Sequence, residues 1–213
     1  PQYKMNRKKG REKDNFDWDS IFGLLNSIKS EFKEILPYKF LEVYGAEADD
    51  IIATLCKEHQ DQNIMIISGD KDFIQLQKYD NVKQYSPTQK KFINGINPYT
   101  YIQEHVLRGD KGDGVPNILS PDDCFVEGQR QKPIRKNLVA KWIKQKPEEW
   151  VTGDMAAGYV RNSQLVDLTK TPDDIKESII NSYKSQTNKD KSHLLNYFIK
   201  NKMKHMIDVI DEF

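Results

Sequence analysis

Seven carboxylates in this chain fall into three tight clusters, and a fold that brings the clusters together must also neutralise them. Glu47, Asp49 and Asp50 open an apolar-periodic stretch. Asp70 and Asp72 follow the apolar run at residues 64–67, and Asp110 and Asp113 sit in the turn Asp110-Lys111-Gly112-Asp113-Gly114. Carboxylates held this close repel one another unless a cation lies between them. An all-oxygen donor set favours hard divalent ions such as Mg2+ or Mn2+, and a pair of such ions is the usual machinery for cleaving phosphodiesters.

The surrounding pattern predicts an α/β part followed by a helical part. Ile21, Leu25, Ile28, Phe32 and Ile35 recur at helical spacing, with Asp17 placed to cap the helix and Pro37 just beyond it. A short strand is expected at residues 39–43, and a helix at 47–59 that buries Ile51, Ile52 and Leu55. A buried strand then follows at 64–67, a short helix at 73–77, and a hairpin over 82–93. Strand and helix alternating in this order predict a parallel sheet. Beyond Pro98 come a helix to Leu107 capped by Asn97 and stopped by Gly109, an irregular stretch at 120–133, and a basic helix at 135–144. A helix beginning after Thr171-Pro172 and a lysine-rich helix over 194–210 complete the reading. The expected organisation is a basic arm without periodicity at residues 1–16, an α/β unit at 17–96 and a helical unit at 97–213.

The charges are segregated even though the 213 residues carry a net charge of only +1. Residues 1–13 hold Lys4, Arg7, Lys8, Lys9, Arg11 and Lys13 against Glu12 alone, and residues 129–146 hold seven basic side chains and no acid. Residues 42–80 reverse the balance, with nine acids against three lysines. Solvated helix faces would account for any one run. Together they suit a chain that grips phosphates at its margins and holds cations at its centre. Cys56 and Cys124 have no zinc-site or disulfide spacing, which favours a reducing cytoplasm, and no apolar run is long enough to span a membrane.

Each acid cluster has a plainer explanation. Acids are enriched in first helical turns, Asp72 could simply cap the helix that follows it, and the glycine turn could be a surface turn. It is not an EF-hand, because Asp110 lacks acids two and four residues on and Pro121 stands where a bidentate glutamate is required. The joint occurrence of the three clusters carries more weight than any one.

Three stretches then acquire a specific meaning. Tyr44-Gly45-Ala46-Glu47-Ala48-Asp49-Asp50, Ser68-Gly69-Asp70-Lys71-Asp72-Phe73 and Gly109-Asp110-Lys111-Gly112-Asp113-Gly114-Val115 resemble the motifs of the flap-endonuclease-type 5′-nucleases, and most closely the ribonuclease H branch of T-even-like phages. Residues 81–87 and the terminal Ile210-Asp211-Glu212-Phe213 are similar as well, so the resemblance runs the length of the chain. It implies a PIN-like parallel sheet flanked by helices, followed by a helix–three-turn–helix part that grips duplex backbone.

By the same resemblance, Glu47, Asp49, Asp50, Asp70, Asp72, Asp110 and Asp113 are metal-site acids for two Mg2+ or Mn2+ ions, and Asp49 and Asp70 join Lys4 and Arg7 as catalytic residues. Tyr3, Lys4 and Arg7, with Lys8 and Lys9, form the base of an arch that engages the substrate strand. Lys111, Gly112, Gly114, Arg135, Lys136 and Lys141 are the implied DNA contacts. The implied activity is 5′-3′ exonuclease and flap endonuclease, removing RNA primers and adjacent DNA during replication in a phage-infected or bacterial cytoplasm. Forked or flapped DNA and RNA/DNA hybrids are the implied substrates, and a single-stranded DNA-binding protein the implied protein partner, with no membrane involved.

Two features depart from the family pattern. Residues 121–133 replace the second glycine hairpin of cellular relatives. The family also begins with two strands that each bear a metal-binding Asp, and neither has a counterpart here; the chain opens on Pro1. The expectation is therefore a partial product with feeble hydrolysis on its own. The alternative is a structure-selective DNA-binding module with an inactive site. A ribonuclease of the wider PIN-like group is a weaker third reading, opposed by the helical half and the terminal similarity.

Overall fold

The apolar run Ile64–Ile67 forms β1, and the expected hairpin forms β2 (Val82–Ser86) and β3 (Lys91–Ile93). The computed structural model describes residues 3–187 and 190–213. β1 runs parallel to β2 with Ile64 opposite Val82, whereas β2 and β3 are antiparallel with Gln84 opposite Ile93. The sheet, in the order β1-β2-β3, is a small mixed one rather than wholly parallel.

Two expectations about the first forty residues are corrected. The basic arm contains a helix, α1 (Met5–Arg11), whose start is tied down because Lys4 N–H donates to the Asp113 carbonyl at 2.7 Å. The strand expected at 39–43 does not form. The Phe40 N–H and C=O are both taken by the Gln186 amide at 2.9 Å, and the Lys39 ammonium bonds the Tyr183 carbonyl at 2.8 Å. With these groups already partnered, the segment has no need of a neighbouring strand.

α2 (Trp18–Ile35) begins at Asp17, whose carboxylate accepts from Ser20 N–H at 3.1 Å. Its apolar stripe is amphipathic as the spacing predicts, yet no residue of the helix is buried, and Leu25 is 53% exposed. α3 (Ala48–Glu58) packs on a 3₁₀ helix (Lys71–Lys78) and on β1 and β2 around Ala53, Cys56, Ile66, Phe73, Leu76 and Val82.

The helical part follows. α4 (Pro98–Arg108) is capped by Asn97, whose side chain accepts from Thr100 N–H at 2.9 Å, and it packs against the 3₁₀ helix. α5 (Lys136–Trp142) turns Val139 and Trp142 inward onto Leu107 and Ile118, leaving its basic residues outside. α6 (Asp154–Val166) was not anticipated. α7 (Asp173–Ser185) lies on α3. The single helix expected over 194–210 is two, α8 (Leu194–Lys200) and α9 (Lys204–Asp208), because Lys202 adopts a left-handed φ of 56° between them.

α6 escapes sequence reading because small and polar residues dilute its apolar period, and those residues are what its packing needs. Asn162 is fully buried and donates to the carbonyls of Val106 (2.7 Å) and Pro116 (2.9 Å), joining α6 to α4 and to the end of the glycine turn. Gly158 lies so close to Ile118 that a Cβ there would sit 2.2 Å from the Ile118 carbonyl oxygen. Helix propensity alone favours Gly→Ala by about 1 kcal/mol. The clash is with backbone, which cannot rotate away, and overpacking of this kind typically costs about 1–3 kcal/mol. Gly158→Ala is therefore expected to lower the melting temperature in a calorimetric scan. A rise would show that α6 does not approach Ile118 this closely.

Candidate metal and active site

Three short backbone segments deliver the acids to one place. The first is the start of α3. The Asp50 carboxylate accepts from Glu47 N–H at 2.9 Å and from the Thr171 hydroxyl at 2.7 Å, so Asp50 fixes the helix entry to the segment before α7. The helix N-terminus supplies a partial positive charge beside Asp49.

The second segment is the exit of β1. Asp70 caps the 3₁₀ helix through a bond from Asp72 N–H at 3.0 Å, and Ser68 Oγ accepts from Asp70 N–H at 3.1 Å. Behind it lies Gln84 on β2, 1% exposed, whose amide donates to the carbonyls of Ser68 (2.9 Å) and Asp70 (2.5 Å).

The third segment is the glycine turn. Gly109 has φ of 68°, and a Cβ there would lie 2.3 Å from the Val115 carbonyl oxygen, so the turn closes only with glycine at that point. Asp110 Oδ1 accepts from Gly112 N–H (2.6 Å) and Asp113 N–H (3.2 Å), and Val115 N–H returns to the Asp110 carbonyl at 2.7 Å.

The arm closes over these acids. Lys4 forms an ion pair with Glu47 and lies 3.7 Å from Asp113, and Arg7 pairs with Asp113. The Tyr3 hydroxyl donates to Asp113 at 3.2 Å and to Glu47 at 3.3 Å. Burial, reinforced by the charges of Asp113 and Glu47 and opposed by Lys4, pushes the Tyr3 phenol up to about 12. Burial works against the Lys4 charge, but its bonds to Glu47 and Tyr3 outweigh that and hold its pKa above the ordinary lysine value. Asp49 is raised to about 6, first by burial and then by the charges of Asp70, Asp72 and Glu47.

Two adjoining cavities result. One, of about 270 Å³, is lined by Tyr3, Glu47, Asp49, Asp50 and Asp113 together with Asp72 and Asp110. The other, of about 470 Å³, is lined by Asp70, Lys71, Tyr101, His105 and Lys111, again with Asp72 and Asp110. The shared carboxylates sit between the two spaces. The donor set fits hard cations: carboxyl oxygens converge, and burial with the neighbouring acids raises Asp49, a cost that a bound cation would offset.

All seven acids, with Tyr3, Lys4 and Arg7, thus meet at one site. Lys111 lines the second cavity, Gly112 offers its carbonyl to Arg7 Nε at 3.3 Å, and Gly114 takes φ of 75° in the turn. Lys8, Arg135, Lys136 and Lys141 are exposed and line neither cavity; Lys9 bonds the Val126 carbonyl at 3.1 Å. Sequence reading missed His105, Tyr101, Thr171 and Gln84. His105 had one available signal: it lies one helical turn before Gly109, and so at the same end of α4 as Asp110.

Sequence and fold are both similar to those of known proteins. The family model described as "T4 RNase H, C terminal" matches residues 97–213, and the model "5'-3' exonuclease, N-terminal resolvase-like domain" matches residues 1–106. The chain is 33% identical to the ribonuclease H of Enterobacteria phage T4 over 220 residues, covering 99% of this chain and 72% of that protein. It is 30% identical to a 5′-3′ exonuclease of Buchnera aphidicola over 127 residues, 55% of this chain and 41% of the relative. Its fold matches that of the bacteriophage T5 flap endonuclease, solved as a pseudo-enzyme–product complex with DNA and metal ions. The TM-score there is 0.57 at 20% identity, over 87% of this chain and 78% of the other.

The raised Asp49 carboxyl gives a stability prediction. Its folded pKa of about 6 lies above the unfolded value of about 3.9, so the folded state holds the extra proton between those limits. Stability from this group is complete below about pH 4 and is lost as pH rises through about 6. Asp49→Asn removes the repulsion at neutral pH. For a half-buried carboxyl the gain is roughly 1 kcal/mol once solvent screening is allowed for. In chelator, the variant is expected to melt about 2–4 °C higher than the parent at pH 7.5 and no higher at pH 4. A lower melting point at pH 7.5 would mean that Asp49 is not under net repulsion.

Proposed function

The chain belongs to the 5′-3′ exonuclease family, in the branch that shares the T4 RNase H C-terminal domain, and from that premise we propose that it is a divalent-metal-dependent 5′-nuclease acting on forked or flapped DNA and RNA/DNA hybrids. The observation that carries the reading is the convergence of three acid clusters on two cavities that share Asp72 and Asp110. Glu47, Asp49, Asp50 and Asp113 would hold one Mg2+ or Mn2+, and Asp70, Asp72 and Asp110 the other. When bound, such ions lower the pKa of water and neutralise charge on a phosphate under attack.

The remaining steps belong to the chain's own side chains. Lys4 and Arg7 pair with Glu47 and Asp113, two of the acids that line the first cavity. A scissile phosphate entering there would draw both cations from Glu47 and Asp113, so the groups that neutralise the acids would come to stabilise the phosphate instead. The Tyr3 phenol, kept neutral by its raised pKa, remains a donor to the Asp113 and Glu47 carboxylates. Thr171 and Gln84 hold Asp50 and the β1 exit rigidly, which positions the acids before substrate arrives.

Duplex beyond the cut would lie on the exposed Arg135, Lys136 and Lys141 and on the backbone of the glycine turn, contacts that read phosphate and shape rather than sequence. The place of action would be a phage-infected or bacterial cell, and the protein partner a single-stranded DNA-binding protein of the replication machinery. No described helix is long and apolar enough to cross a membrane.

Two measurements test this reading. Forked duplex should bind with an affinity that falls steeply as salt rises, through counterion release. Lys136→Glu with Lys141→Glu should weaken binding equally on unrelated sequences, and an affinity indifferent to salt would remove the phosphate grip. A forked substrate labelled at its 5′ end should be cut in Mg2+ or Mn2+ and not in chelator. Asp72→Asn, which removes a carboxylate common to both cavities, should reduce the rate by about 10²-fold or more. Binding without any metal-dependent cleavage would leave a DNA-binding module in place of a nuclease.

A further inference from the structure

His105 lines the second cavity beside Asp72 and Asp110. It occupies the last turn of α4, and its Nε2 is buried with no well-aligned hydrogen bond, only close contacts with carboxylates. That nitrogen lies 3.3 Å from Asp72 Oδ1 and 3.7 Å from Asp110 Oδ2. The three donor atoms lie within 4.8 Å of one another, the one such group found among the described residues. Buried polar atoms in native folds take partners, and those within reach of this nitrogen are two carboxylates at near-ligand spacing.

The ring is also held in place. It stacks on Tyr101, one turn earlier in α4, with centroids 5.6 Å apart and planes at 18°. Its helix ends at Gly109, whose close approach to Val115 and Pro116 leaves no room for a Cβ and fixes Asp110 beside the imidazole. A side chain locked on a helix, 15% exposed and aimed at two acids, has the preorganisation expected of a metal ligand.

We propose that His105 is a nitrogen ligand to the ion of the second cavity, with Asp72 and Asp110, and that it biases this position away from Mg2+ toward Mn2+ and other transition-series divalent ions. The inference rests on the two-cavity metal reading above and adds to it the identity of a ligand and a preference among ions. Mg2+ holds oxygen ligands and sheds water reluctantly, whereas imidazole suits the transition ions. The plainer role for His105 is an imidazolium counter-ion to Asp72 and Asp110. In that role it competes with every cation alike and confers no preference.

Two experiments separate these roles. In the intact chain labelled with 15N-histidine, Zn2+ serves as a diamagnetic probe. Of the four histidines, His59, His105, His193 and His205, only His105 should move its Nε2 resonance to the position of a metal-bound imidazole nitrogen. Calorimetric titrations of Mn2+ and Mg2+ then compare the parent with His105→Phe, which keeps a ring against Tyr101 but offers no donor. Mn2+ binding should weaken about tenfold or more while Mg2+ binding changes little.

A His105 resonance that stays at the free-ring position while Zn2+ binds overturns the proposal, as does an unchanged ratio of Mn2+ to Mg2+ affinity. Divalent ions that bind with that ratio unchanged sink only the role of His105. A parent chain that binds no divalent ion sinks the metal reading of the clusters along with it. Should His105→Phe fail to fold, the Zn2+ spectrum of the unsubstituted chain decides alone.

Discussion

Repulsion among carboxylates is the constraint on which the rest of this structure depends. Seven acids from three segments share two cavities, and burial together with the charges of Asp70, Asp72 and Glu47 raises Asp49 to about 6. A fold that tolerates this must fix the acids from behind and screen them from in front. From behind come the N-terminus of α3, the Thr171 hydroxyl on Asp50 and the Gln84 amide on the β1 exit. From in front come Lys4 and Arg7, delivered by the arm. The clustered acids therefore lean on neighbouring cations, and the arm that delivers those cations is part of the fold's own charge balance.

Backbone carbonyls carry much of the positioning. Asn162 joins α6 to α4 and the glycine turn through the carbonyls of Val106 and Pro116, and Gly109 and Gly158 meet carbonyl oxygens too closely for any Cβ. Contacts of this kind fix distance more sharply than apolar side chains, which repack around small changes. The outcome is that Asp110 and Asp113 sit on a turn tied to two helices, and Asp70 and Asp72 on a strand exit tied to β2. Rigid support for opposed acids is what a site for paired ions requires.

The acid clusters and their common destination were legible in the sequence, as were α4 with its Asn97 cap and the 82–93 hairpin, because each rests on local chemistry with a fixed spacing. α1 was not legible, since its seven residues carry no apolar period and its start is fixed by Asp113, more than a hundred positions away in the sequence. The strand expected at 39–43 failed for a related reason: its backbone is partnered by Gln186, which no local pattern announces. α6 was hidden because the residues that make its contacts work, Gly158 and Asn162, are the ones that erase a helical stripe. His105 was missed because a lone histidine carries no motif, and only the folded turn brings it against Asp72 and Asp110.

The same balance explains how a site this acidic can be both held together and ready to react. Lys4 and Arg7 satisfy Glu47 and Asp113 through flexible side chains, so the pairs can exchange partners without moving backbone, and each is partly open to solvent, where ion pairs are worth about 1 kcal/mol or less. Pairs that weak exchange partners readily. Buried, well-hydrogen-bonded pairs would be far harder to break, since separating them strands a charge in the interior. Asp50 and Asp110, by contrast, are fixed by hydroxyl and backbone N–H donors that no ligand displaces. The site thus divides its carboxylates into a held set that defines the cavities and a loosely paired set that can change partners, and it places the loosely paired ones on the side where the arm, and any strand the arm engages, would enter.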